Sequence, residues 1–165
     1  VIHDLVGPAQ PLIGRVAGKG LDDELAGRPY LLVEGVDGRS HYLRLGPAAD
    51  ITDIPDQAIV RAATDRSGRW TSVRVLSDWS LDRQVTAQGA TWLDRELVAR
   101  EKTMLAPSGF GGEVDAALER RVEHLVGQGL ARRRGQRILF ASDLLGTCSG
   151  RNWRGPQRRS DARPA

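Results

Sequence analysis

The 165-residue chain holds one cysteine, Cys148, and three histidines, His3, His41 and His124. A lone thiol excludes an internal disulfide and a cysteine-rich zinc site, and it fits a reducing cytoplasm. Cys148 has no histidine nearby and precedes a basic tail, a poor setting for a catalytic thiol. The histidines fall in an arm, a strand and a helix with no metal-ligand spacing. The two tyrosines, Tyr30 and Tyr42, lie in strand-like sequence, where cross-strand packing explains them better than nucleophilic attack. No apolar run approaches membrane-spanning length, and no secretory signal pattern opens the chain. Gly14, Gly18 and Gly20 lack the strand–glycine–helix context of a phosphate loop. Asp22, Asp23 and Glu24 are adjacent, as in a solvated loop, rather than paired across a cleft. No nucleophile–base pair can be assembled. These absences leave no enzyme, cofactor, metal, membrane or small-molecule substrate to expect. The first residue is Val, as expected of a piece of a longer protein or a processed chain.

An excess of either sign of charge is also small overall. The formal net charge is only +3, yet the isoelectric point is near 9.6 because arginine supplies nearly all the positive charge. Such an excess permits nucleic-acid binding without demanding it. The local imbalance is larger: Arg151, Arg154, Arg158, Arg159 and Arg163 face only Asp161 in the tail. A hydrophobic fraction of 40% suffices for a core, in one domain or two small ones.

The most informative segment runs from Glu113 to Phe140. Val114, Ala117, Leu118, Val122, Leu125 and Val126 fall at i, i+3, i+4, i+8, i+11 and i+12, one stripe of an α-helix. Gly129 follows as the expected left-handed cap, with Leu130 closing it. Arg132-Arg133-Arg134-Gly135-Gln136-Arg137 then separates Leu130 from Ile138-Leu139-Phe140, the pattern of a β-hairpin with a basic tip. A capped helix feeding an arginine-tipped hairpin is the layout of winged helix-turn-helix modules. Guanidinium forks suit phosphate oxygens, although exposed hairpins also carry arginine for solubility and to discourage edge pairing. The helix itself carries Glu113, Asp115, Glu119 and Glu123 beside Arg120 and Arg121. Those carboxylates would repel a phosphate backbone, so the hairpin and its neighbours are the expected contacts. Gly109, Gly111 and Gly112 precede the helix; a helix start can bind an anion, but a flexible lead-in is the commoner meaning.

The rest of the chain reads as short strands, then short helices. Residues 1–11 read as an arm or linker ending in Pro8 and Pro11. Leu12–Gly18 is a strand, and Gly18-Lys19-Gly20 a turn. Tyr30–Val36 and Ser40–Leu45 form a hairpin about Asp37-Gly38, the strongest such signal in the chain. Ile59–Thr64 and Ser72–Leu76 pair through Ser67-Gly68. Five short strands in so few residues suggest a small closed or half-open barrel. Ser80 or Asp78 caps a helix through Val85, broken by Gly89. Thr91–Lys102 is a second helix with Trp92, Leu93, Leu97 and Val98 inward. Ser142 or Asp143 caps a last short helix at Asp143-Leu144-Leu145. The residues beyond have the composition of a disordered tail. Trp70, Trp79 and Trp92 suit core anchoring, with stacking on single-stranded nucleic acid as the alternative. Trp153, between Arg151 and Arg154, is open to base stacking or simple exposure.

Ile13-Gly14-Arg15-Val16 with Gly18-Lys19-Gly20-Leu21, Asp23-Glu24-Leu25, and Asp37-Gly38-Arg39 with His41-Tyr42 resemble the C-terminal region of bacterial conjugative relaxases, the mobilization nucleases. So do Gly89-Ala90-Thr91-Trp92-Leu93-Asp94, Gly109-Phe110-Gly111 and Gly129-Leu130-Ala131-Arg132-Arg133. The resemblance covers roughly residues 12–147 through the order and spacing of these motifs. Relaxases nick plasmid DNA through a tyrosine in an N-terminal domain with a metal-binding His cluster. This chain has neither, so the resemblance implies a non-catalytic accessory segment in the bacterial cytoplasm. Relatives continue into further β-rich sequence where this chain enters its basic tail.

The expected fold class is α+β. A small β-barrel-like module spans 12–77, a helical, winged-helix-like module spans 78–147, and a basic tail spans 148–165. The expected role is sequence-tolerant binding or positioning of DNA. Arg132, Arg133, Arg134 and Arg137 would contact phosphates, flanked by Arg120 and Arg121. The alternative is a protein-interaction module that docks the relaxase onto a coupling or secretion component of the conjugation machinery. Its hallmark would be an exposed apolar patch on the barrel.

Overall fold

The computed structural model describes residues 2–3, 11–22, 27–47, 49–65 and 69–141. The expected Ser67-Gly68 turn, the last short helix, Cys148, Trp153 and the basic tail lie outside the described residues, as does most of the N-terminal arm. The chain divides into two compact units. The first is Val1–Ser80 with Met104–Asp115, and the second is Leu81–Thr103 with Ala116–Ala165.

The first unit is an antiparallel sheet. Its strands are β1 (Ile2–His3), β2 (Leu12–Leu21), β3 (Pro29–Gly35), β4 (Ser40–Arg44), β5 (Ile59–Thr64) and β6 (Thr71–Ser77). They are ordered β1-β4-β3-β2-β5-β6. Five strands are antiparallel; β1 joins β4 in parallel, with Ile2 opposite Ser40. Part of the expected arm is therefore an edge strand. The strands arise from alternation: Leu12 and Val16, Leu31 and Val33, Leu43 and Leu45, and Val60 and Ala62 all point into one core. The register aligns them, with Val16 opposite Val33, Leu31 opposite Leu43 and Leu12 opposite Ala62. Each fully buried Leu or Val contributes about 1.5–3 kcal/mol.

Two expectations are corrected here. The sheet is not closed into a barrel; one isolated bridge joins Leu45, just past β4, to Thr71 of β6, and among the described residues no ladder links the two sides. Gly18-Lys19-Gly20 is not a turn, because the ladder with β3 continues through it after a bulge between Val16 and Gly18. Gly20 lies beneath Tyr30, whose hydroxyl a Cβ would meet at 2.9 Å. Lys19 instead caps a 3-10 turn at Ile51–Asp53, donating to the carbonyls of Ile54 at 2.7 Å and Ile51 at 3.3 Å.

Met104–Asp115 joins the first unit rather than the helical one. The Ala106 N–H donates to the Val36 carbonyl at 2.7 Å. Arg15 on β2 bonds Glu34 and Glu113, each at 2.8 Å, and lies 4.8 Å from the centre of the buried Phe110 ring. Gly111 fits against the same turn; a Cβ there would stand 2.2 Å from the Val36 carbonyl oxygen. The glycine run is thus a close-packed joint rather than a flexible lead-in.

The second unit holds α1 (Leu81–Val85), α2 (Trp92–Val98), the part of α3 (Gly109–Gly127) from Ala116 onward, and the hairpin β7 (Ala131–Arg134) with β8 (Arg137–Phe140). Thr91 and Asp94 form a reciprocal capping box at the start of α2. The helix is shorter than expected at its far end, where Lys102 donates to the carbonyls of Glu96 and Leu97 and closes the last turn. The α3 stripe is as its periodicity predicts: Val114, Ala117, Val122 and Leu125 are buried.

Candidate nucleic-acid interface

The hairpin is positioned by the way α3 ends. The Leu130 N–H donates to the Leu125 carbonyl at 2.8 Å, and the Gly129 N–H to the Val126 carbonyl at 3.1 Å. These are the two bonds of a Schellman cap. Gly129 has φ 76°, and a Cβ there would meet nothing within 4 Å. The cost of a side chain at this position is therefore conformational. Gly129→Val is expected to destabilise by about 1–2 kcal/mol. Paired thermal melts measure it, and an unchanged midpoint would show that the left-handed cap is not required. Leu125, Leu130 and Ala131 form a small core with Val126, Leu97, Val98, Ile138 and Phe140, which seats the hairpin.

The β7–β8 register is Ala131–Phe140, Arg132–Leu139, Arg133–Ile138 and Arg134–Arg137. Gly135 opens the turn at φ 63°. Alternate residues on a strand point to opposite faces. One face therefore carries Ala131, Phe140, Ile138 and Arg133. Arg133 pairs with Glu123 and, at 3.7 Å, with Glu119. Its hydrogen bond to Glu123 holds the guanidinium above its ordinary range. The other face carries Arg132, Arg134, Arg137 and Leu139. All three arginines are exposed, and among the described residues none of their side chains has an ion-pair or hydrogen-bond partner. Burial and the Arg121 charge push the His124 imidazole below its ordinary range. Its charged form is thereby disfavoured.

The expected site residues thus separate into three groups. Arg132, Arg134 and Arg137 share one open face. Arg133 lies on the opposite face, tied to the helix, and Arg120 pairs with Asp82 at 2.8 Å in an exposed bridge. Arg121 is corrected outright: it is fully buried, so it cannot be a flanking phosphate contact. Its Nε and one Nη grip Asp94 at 2.8 and 2.9 Å. The remaining N–H groups reach the carbonyls of Val85 (3.1 Å), Ala87 (2.8 Å) and Gly89 (3.1 Å). All five guanidinium donors are used inside the unit. Asp94 is equally buried and also accepts from the Thr91 N–H at 2.8 Å.

Elsewhere the structure brings together a pair that sequence reasoning passed over. His41 Nε2 lies 2.9 and 3.1 Å from the Asp37 carboxylate oxygens, and its buried Nδ1 has no partner among the described residues. The i, i+4 spacing across the Asp37-Gly38 turn was its only sequence signal. Tyr42 stacks on Tyr30 with ring centres 5.0 Å apart. Burial and the bond to Asp22 push its phenol above the ordinary value. Among the described residues, no three His, Cys, Asp or Glu side chains gather as metal ligands, and no helix is long and apolar enough to cross a membrane.

Comparison with known proteins gives one family. Residues 1–70 and 62–159 match the model of a family described as protein of unknown function, DUF3363. No curated protein and no solved structure matches the chain. The two matched stretches together span most of the sequence, and the chain belongs to the DUF3363 family.

Proposed function

We propose that this chain is a non-catalytic, DNA-binding or DNA-positioning segment of a plasmid conjugative relaxase, and that the β7–β8 hairpin is its contact with the phosphate backbone. The observation that carries the reading is the placement of Arg134 directly across from Arg137, with Arg132 on the same face. Like charges directly opposed across a hairpin destabilise it. An anion seated between the two forks removes that repulsion and accepts their hydrogen bonds. The acidic residues of α3 oppose this reading only weakly, because Glu119 and Glu123 are occupied by Arg133 on the other face. The order of helices followed by a basic hairpin is that of a winged-helix module with a phosphate-binding wing. The relaxase setting rests on the order and spacing of the sequence motifs, and it implies the bacterial cytoplasm as the protein's location. Contacts to phosphates carry no base information, so the binding is tolerant of sequence.

The test is a salt titration of duplex DNA affinity with the full chain and its Arg132→Ala/Arg134→Ala/Arg137→Ala variant. Each phosphate that the protein no longer neutralises flattens the slope of log affinity against log salt by about 0.9. The triple variant should therefore show a slope shallower by roughly two to three units, and unrelated duplex sequences should behave alike. Both proteins carry the same basic tail, so its contribution cancels in the difference. An unchanged slope would sink the reading. That result would favour the second one, a docking module for conjugation-machinery proteins. Its supporting observation is Leu139, 45% exposed on the same face as the three arginines.

A further inference from the structure

The first unit carries a second basic feature, built from a different part of the chain. Leu45 donates its N–H to the Pro29 carbonyl at 3.0 Å and bridges in parallel to Thr71. Those three residues run side by side. Arg44 precedes Leu45 and sits opposite Tyr30, Trp70 precedes Thr71 alongside it, and Arg28 leads into Pro29 from the far side of that pair, so all three lie at one end of the sheet, with Arg69 next to Trp70. Together Arg28, Arg44, Arg69 and Trp70 line a recess of about 300 Å³. Asp65 fixes one wall, accepting from the backbone N–H groups of Arg69 (3.1 Å) and Trp70 (3.4 Å), while its own N–H donates to the Trp70 carbonyl at 2.8 Å. Asp22, 3.9 Å from Arg44, offsets part of the charge. At that distance the pairing is loose, and it leaves the Arg44 fork with donors to offer alongside Arg28. The stacked Tyr30–Tyr42 pair adjoins the recess, because Tyr30 is the cross-strand partner of Arg44.

We infer that this recess binds single-stranded nucleic acid, with Arg28 and Arg44 taking a phosphate and Trp70 offering a surface to the adjacent base. A phosphate alone would use the guanidinium groups and leave the indole idle. Duplex DNA, with its bases stacked inward, would do the same. A single strand uses both, since unpaired bases stack on aromatic side chains while basic groups follow the backbone. The concave shape favours a splayed nucleotide over the broad backbone of a duplex. The inference is independent of the hairpin, which belongs to the other unit.

The experiment uses the full chain carrying Arg132→Ala/Arg134→Ala/Arg137→Ala, so that the hairpin contributes nothing. A labelled twelve-residue oligothymidylate is titrated into this parent and into three derivatives: Arg28→Ala/Arg44→Ala, Trp70→Phe and Trp70→Leu. Removing a stacked base costs about fivefold or more in affinity. Trp70→Leu should therefore weaken binding by at least about fivefold, and Trp70→Phe should retain most of it. The arginine double variant should bind about tenfold or more weakly and flatten the salt slope by one to two units. It alters only exposed side chains, so it remains informative even if Trp70→Leu melts early. An oligouridylate of equal length should bind comparably, because stacking and phosphate contacts ignore the sugar. Unchanged affinity in the arginine double variant would overturn the inference. So would equal competition by a duplex, or by inorganic phosphate at matched phosphate concentration.

Discussion

Replacing Arg121 by alanine is expected to destabilise the second unit by about 3–5 kcal/mol, the cost of leaving a buried charge without its partner. The reason is geometric. The Asp94 carboxylate would remain fully buried, and the carbonyls of Val85, Ala87 and Gly89 would be stripped of their donors together. Chemical denaturation followed by far-UV circular dichroism measures the change, and a melt should fall by roughly 10 °C. Arg121→Lys separates charge from geometry. An ammonium can face Asp94 but cannot supply five donors in a planar fork, so it should recover only part of the stability. Asp94→Ala should cost a similar amount, and the double variant should cost much less than the sum, because each single change strands the other residue. A melt of Arg121→Ala within a degree or two of the parent would show that the clamp does not hold the unit.

The second large effect sits at the start of the same helix and inverts the usual rule. Alanine normally stabilises a helix over glycine by about 0.5–1 kcal/mol. At Gly111 the new methyl would press to 2.2 Å from the Val36 carbonyl oxygen and 2.7 Å from the Ala106 backbone nitrogen and oxygen. Neither backbone can move freely, since the two are hydrogen-bonded to each other. Gly111→Ala is expected to destabilise by roughly 1–3 kcal/mol or more, as overpacking does. Gly127 is the control in the same helix. A Cβ there meets nothing within 4 Å, so Gly127→Ala should be neutral or stabilising by up to about 1 kcal/mol. A loss of stability at Gly111 and none at Gly127 is the expected readout of paired equilibrium melts. Equal effects would mean that the joint yields.

These two positions also mark where the sequence was readable and where it was not. The alternation of His41, Leu43 and Leu45 against Tyr42 and Arg44 located β4, and Asp37-Gly38 located its turn. Gly129 located the end of α3, because few residues other than glycine take that conformation cheaply. Arg121 looked like half of a surface Arg–Arg pair. Its neighbours held the clue: the apolar stripe of α3 omits i+7 from Val114, and Arg121 occupies that gap. A cation on the buried face of a helix requires a buried anion, but which one depends on tertiary packing that periodicity does not encode. The same holds for the hairpin. The basic tip was legible, whereas the division of Arg133 from Arg132, Arg134 and Arg137 followed only from the register. Whether the sheet closes was not legible for a related reason. Strand count and spacing are the same in an open sheet and in a closed one, and closure depends on whether the outer strands meet along a ladder.

The two units are interleaved in sequence rather than strung end to end. The first takes back Met104–Asp115 after the chain has already laid down α1 and α2 for the second. No single cut yields either one whole. A break after Ser80 deprives the sheet of the Ala106–Val36 bond and of Gly111, while a break after Asp115 strands α1 and α2 without Arg121. Helices of five and seven residues do not persist alone. A recombination event with one breakpoint inside this region would therefore pass on neither unit intact. The segment can be exchanged between proteins only as a block, and its lineage should show gain or loss of the whole rather than of halves.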